Sequence, residues 1–293
     1  MSSDPGFASG GLAPSAGGGP AFGGGEGAPK VYHFPRIGLA LWAVDWLLGR
    51  RRSFVGDARW TMRDVRPRPR AEGEEHIPRQ GPFVLVLNHY ERPGLNIHFA
   101  GMHVAQVVAR RRPQAPEVHW IITSEWFGRR LGILPVPDAF WRWTFRRAAR
   151  MYDFVVMPRA PEKAMGRAAA IRQALAYALG RGDRPGEPLG LMPEALGKGV
   201  LIEAVPGVGL FLKILSDRGL PILPVGILER QGALTAVFGP AFRLELPATE
   251  DQQEMDRLAR EQVMVAIGRL LPREYWGFYA GAIEEAVSGR RPS

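Results

Sequence analysis

The 293-residue chain contains no cysteine. That absence removes disulfides, thiolate metal sites and cysteine nucleophiles, and it rules out a small disulfide-stapled secreted domain. A reducing compartment fits it. Lysine is scarce too: only four of the 38 basic residues are lysines. Positive charge is therefore carried by arginine, whose forked guanidinium suits phosphate, although a compositional bias of the genome would give the same count. No apolar run reaches the about 20 residues that span a bilayer. The stretch Val31 to Leu48 is interrupted by Arg36 and Asp45. Residues 1–29 lack the basic start and apolar run of a signal peptide, and they hold ten of the 36 glycines. They read as a mobile Gly-rich tail. No internal repeat is present. No zinc-ligand spacing, helix-turn-helix or aromatic-sheet signature accompanies the arginines, so nucleic acid is not an expected partner.

What remains is ordinary for a folded protein, 46% hydrophobic and 23% charged, with a net charge of +9 that favours anionic partners such as an anionic membrane surface. Residues 30–58 are apolar with a basic flank, Arg50, Arg51 and Arg52 following Gly49. Two tryptophans in this stretch, Trp42 and Trp46, fit an interfacial anchor in the headgroup region; a helix packed on the domain core fits as well. A second basic, aromatic region, Phe140 to Arg150, carries Trp141, Trp143 and Phe145 beside Arg142, Arg146, Arg147 and Arg150, and reads either as a lipid-facing surface or as a core helix with a solvated edge.

The body spans residues 59–248, followed by helices and a short tail over 249–293. Asp64 to Gln80 is a polar connection with room for one short strand. Compact apolar runs then predict buried strands at Phe83–Leu87, Val118–Ile122, Phe154–Met157, Leu189–Met192, Ile222–Ile227 and Leu234–Phe238. Helices lie between several of them. Met165 to Leu179 places Met165, Ala168, Ile171, Leu175 and Leu179 on one side, with Gly180 as a stop. Arg110, Arg111 and Arg112 end another helix, where they complement its dipole. Thr249 and Gln252 suggest a capping box for a last helix that ends before Pro272. This alternation predicts an α/β fold: one domain with a central, largely parallel mixed sheet flanked by helices.

The chemistry concentrates where Phe83–Leu87 delivers Asn88 and His89 to a strand's carboxyl end. An imidazole there stands at the rim of a sheet, where it can take a proton from a substrate hydroxyl. Glu91 is the nearest carboxylate in sequence, an orienting group for His89, a solvated residue or a partner for Arg92. Arg159, at the end of the strand Phe154–Met157, is a candidate two-pronged phosphate ligand, with an ion pair as the plainer alternative. Pro193 and Glu194 follow another buried strand and should share the rim with His89. Lys198 adds a mobile point cation.

The order of these features resembles the glycerolipid acyltransferase superfamily, of the lysophosphatidic acid acyltransferase type, from about Gly73 to Phe242. The family's lead-in, G-x-x-x-x-P-x-x-G-P, is matched by Gly73, Pro78, Gly81 and Pro82, with Glu74 and His76 between. Its first motif is His, four residues, then Asp; His89 is present but the position of the aspartate is Gly94. Its second, an apolar strand ending in arginine, resembles Phe154 to Arg159. Its third, Phe-Pro-Glu-Gly-Thr-Arg, resembles Met192 to Gly197, with Lys198 one place beyond the arginine. Its fourth, a proline-flanked strand, is matched by Leu220 to Val225, and Ser124 to Leu134 resembles the segment between the first and second motifs.

The resemblance implies a glycerol-3-phosphate acyltransferase-like fold. It also implies transfer of a fatty acyl group from acyl-CoA or acyl carrier protein to the hydroxyl of a lysophospholipid-like acceptor. His89 would be the base, with Asn88, Arg159, Pro193, Glu194 and Lys198 around the substrate. The protein would sit as a peripheral or monotopic one on the cytoplasmic face of a membrane, needing no metal and no cofactor beyond the acyl donor. In the family the aspartate orients the imidazole, so Gly94 leaves open a catalytically impaired relative that binds lipid or a partner.

Overall fold

A computed structural model of the chain describes residues 32, 34–123, 130–131, 134–135, 137–158, 164–197 and 199–289. The Gly-rich tail, most of Ser124 to Leu134, Arg159 and Lys198 lie outside the described residues.

The elements run α1 (Arg36–Leu48), α2 (Phe54–Met62), β1 (Arg70–Glu72), β2 (Val84–Leu87), α3 (Ile97–Arg111), β3 (His119–Thr123), β4 (Arg130–Leu131), β5 (Leu134–Pro135) and α4 (Asp138–Tyr152). They continue β6 (Val155–Met157), α5 (Ala164–Leu179), β7 (Leu189–Leu191), α6 (Val208–Asp217), β8 (Ile222–Arg230), β9 (Ala233–Phe238), α7 (Gln252–Gly268) and α8 (Ala280–Ser288). Seven strands form one sheet in the order β1-β9-β8-β2-β7-β3-β6, and β4 pairs with β5 apart from it. Neighbours are parallel except β8 and β9. The architecture is thus α/β, a mostly parallel mixed sheet flanked by helices.

Central parallel strands are covered on both faces and so read as unbroken apolar runs. All four residues of β2 are buried, as are the first seven of β8. The expected run over Ile222–Ile227 continues to Arg230, then turns through Gln231 and Gly232, both in the left-handed region, into antiparallel β9. Gly180 stops α5 as expected, with φ of +76°. The start of α7 differs from the Thr249–Gln252 box. Asp251 is the cap, accepting from the Gln253 N–H at 2.8 Å, while Thr249, two residues earlier, accepts from the Asp251 N–H. An aspartate one residue before the helix outcompetes a threonine two residues further out. α7 packs on β2 and β8 and buries Val263, Met264 and Ile267 completely, so the C-terminal helices complete the main core.

Candidate active site

β2 ends at Leu87, and the next two side chains take different paths. Asn88 is buried: its amide donates to the Ile227 carbonyl at 2.9 Å and accepts from the Ile227 N–H at 2.6 Å. A side chain here continues the β2–β8 ladder where the backbone leaves it, so Asn88 fixes the point of departure. His89 is half-buried at the carboxyl rim.

The segment after β7 closes on His89 from the neighbouring strand. Glu194 is 2% exposed and spans two loops: Oε2 accepts the His89 N–H at 2.6 Å and Oε1 accepts the Ile202 N–H at 2.7 Å. Burial pushes its carboxyl up to about 7, against the opposing pull of those two N–H bonds. Pro193 is buried beside it and its carbonyl accepts the Val205 N–H at 2.9 Å. Three residues on, a Cβ on Gly197 would fall 2.5 Å from His89 Nδ1 and closer still to the His89 carbonyl oxygen, so only glycine admits this approach. Between them Ala195 has φ of +56°, a left-handed backbone that favours glycine.

The loop beyond His89 is fastened at several points. Arg92 makes a two-pronged ion pair with Glu229 of β8, Nη2 to Oε1 at 2.6 Å and Nε to Oε2, and the Tyr90 hydroxyl donates to the same carboxylate at 3.2 Å. Arg92 therefore pairs with Glu229 and not with Glu91, because Glu229 is the first residue of β8 past its buried stretch and lies alongside the loop. Glu91 Oε1 accepts the Ile97 N–H at 3.2 Å and caps the first turn of α3, whose own Asn96 makes no side-chain cap. Gly94 has φ of +81° in an Arg92-Pro93-Gly94-Leu95 turn closed by reciprocal backbone bonds of 3.3 and 2.9 Å. Proline then glycine is the pairing such a turn demands.

The structure thus brings His89, Asn88, Pro193 and Glu194 together; Arg159 and Lys198 lie outside the described residues. Gly197 and Glu229 were not singled out from sequence. Gly197 falls where the third motif has arginine, so the resemblance gave no hint of a close approach. Glu229 carried no signal either, being 137 residues from Arg92. Among the described residues no group of three His, Asp or Glu side chains could hold a metal ion.

The fold is similar to that of solved chains, one of which serves for comparison. It is the 1-acyl-sn-glycerophosphate (LPA) acyltransferase PlsC from Thermotoga maritima, with a TM-score of 0.44 and 15% identity, over 82% of this chain and 80% of that one. No protein-family model matches the chain, and no curated protein does.

Away from the rim, α1 and α4 present an apolar face. Ile37 is 72% and Leu47 63% exposed, joined by Leu39, Leu41, Val44 and Leu48 on α1 and by Phe140 and Trp143 on α4. The two helices meet edge to face at Trp46 and Trp143, 4.7 Å between ring centroids. Arg147 lies over both rings and donates to the Trp46 and Leu47 carbonyls at the end of α1. Only one edge of α1 packs inward, with Gly38 against the Trp60 ring. No helix among the described residues is long and apolar enough to cross a membrane.

Proposed function

We propose that the protein is an acyltransferase that moves a fatty acyl group from acyl-CoA or acyl carrier protein to the hydroxyl of a lysophospholipid or related lipid acceptor. The observation that carries this reading is the convergence of two motif-like segments that are 105 residues apart: Glu194 grips the His89 backbone and Gly197 lies against its ring. In this reading His89 takes the hydroxyl proton as the oxygen attacks the thioester carbonyl. The carbon–sulfur bond breaks, and the proton passes to the departing thiolate. Glu194 and Asn88 hold the imidazole's segment in place, Glu91 fastens the loop beyond it to the start of α3, and Arg159 and Lys198 hold the acceptor's phosphate. The exposed α1–α4 face, apolar with arginines at its edge, supports seating on the cytoplasmic side of a membrane.

A transfer assay with purified protein, labelled acyl donor and a panel of lysophospholipid acceptors tests the reading. His89→Ala should lower turnover by about 10³ or more, by analogy with removing a base from a hydrolase triad. Unchanged turnover in that variant overturns the role of His89.

One observation favours a second reading, a lipid-binding relative with impaired catalysis. Where the family's aspartate would stand, Gly94 occupies a turn that an L side chain enters only with strain. This reading predicts saturable lysophospholipid binding without product in the same assay.

A further inference from the structure

A concavity of about 480 Å³ opens at the rim opposite His89, where the carboxyl half of α5 and the loop after it lead into the start of β7. Its volume falls within the range of small-ligand sites. Three guanidinium groups line it: Arg172 from α5, and Arg181 and Arg184 from a turn closed by reciprocal backbone bonds of 3.1 and 3.2 Å. Gln173 and the Tyr177 ring complete the part the argument uses.

The one carboxylate in the lining is Glu187, and it is divided between two partners. Its Oε2 bonds His119 Nε2, while Oε1 is 3.9 Å from Arg184 Nε. His119 Nδ1 donates to the Asp153 carbonyl at 2.8 Å, and its ring stacks on Tyr177 at 3.8 Å. A carbonyl oxygen only accepts, so Nδ1 carries a hydrogen and His119 turns its Nε2 to Glu187. Asp183, at the exposed tip of the turn, does not line the concavity. Three arginines therefore share one space with a single carboxylate that also bonds His119, which leaves the lining net positive, and the His119–Tyr177 stack fixes its floor. Like charges gathered this way repel, and a multivalent anion held by forked guanidiniums relieves them.

We infer that this concavity is a second binding site, for a diphosphate-bearing small molecule. It lies at the opposite end of the sheet from His89, so it stands or falls independently of the acyl-transfer reading.

Calorimetric titration of the full chain with ADP, pyrophosphate and adenosine at constant ionic strength tests it. ADP and pyrophosphate should each bind saturably at one site, and adenosine should not. The double variant Arg172→Ala/Arg181→Ala should weaken both by at least about tenfold, since each lost guanidinium removes charge-assisted bonds. Arg184→Ala gives an independent reading of the same loss, and Arg269→Ala, an exposed arginine just past the end of α7, should leave binding unchanged. Unaltered melting temperatures without ligand show that the variants fold. The absence of saturable ADP and pyrophosphate binding, equal affinity in the double variant, or equal loss in Arg269→Ala overturns the site.

Discussion

The carboxyl rim of the sheet and the α1–α4 face break the ordinary rule of burial in opposite directions. At the rim polar groups are inside: Asn88, Glu194 and the Arg92–Glu229 pair are drawn into or against the core and bonded across long stretches of chain. On the α1–α4 face six large apolar side chains of α1 stand in solvent. Burying polar groups carries a desolvation cost that only complete bonding offsets, and exposing a contiguous apolar face has no structural benefit of its own. The first departure holds a loop in one position. The second fits a surface completed by something outside the chain.

Four experiments would break or sharpen this contrast. Glu229→Ala should be the most costly at the rim, leaving the Arg92 guanidinium without its carboxylate, by about 3 to 4 kcal/mol in chemical denaturation. A value near that of an exposed pair, under about 1 kcal/mol, would show that the rim network is not under tension.

Glu194 gives a pH signature. Burial raises its folded-state pKa from the usual 4.5 to about 7. Between those values the folded protein keeps a proton that the unfolded chain has released, so stability falls as pH rises from 4.5 to 7 and levels off beyond. The whole window amounts to about 3 kcal/mol. Denaturation midpoints for the wild type across that range, set against Glu194→Gln, isolate this contribution; parallel profiles for the two proteins would refute it.

On the other face, Leu41→Glu/Leu47→Glu should leave folding intact, because both side chains are exposed. It should reduce sedimentation with anionic phospholipid vesicles by roughly a hundredfold in affinity. Retained vesicle binding would separate this face from the membrane. The smallest effect is a gain. Ala195→Gly should stabilise by about 1 kcal/mol, since it relieves a left-handed alanine, and its sign is read directly from the melting temperature.

These residues also show what the sequence could and could not disclose. Strands β2 and β8 were legible because a strand covered on both faces must be apolar throughout, and the boundaries of Leu189–Leu191 and Val155–Met157 follow within a residue or two for the same reason. The convergence of His89 and Glu194 was legible as two strand ends on one rim. Their actual bond, a carboxylate to a backbone N–H, was not, since backbone donors leave no mark in a sequence. The cap of α7 was misplaced by two residues because Thr249 and Asp251 are both good capping types, and the choice depends on where the chain leaves the sheet. Glu229 was invisible for a related reason: its partner is set by β2–β8 register, which only the folded sheet defines. Gly94, where the resemblance would put an aspartate, sits in a Pro-Gly turn, a backbone role that sequence alone does not reveal.

The tether between Arg92 and Glu229 spans 137 residues, and that between Asn88 and Ile227 spans 139. A nascent chain therefore emerges from the ribosome with its histidine loop long before the strand that fastens it. That loop stays unfinished until β8 has been made and docked, which places the His89 corner among the last parts to be completed and leaves any product truncated before residue 227 with a sheet lacking its central clasp.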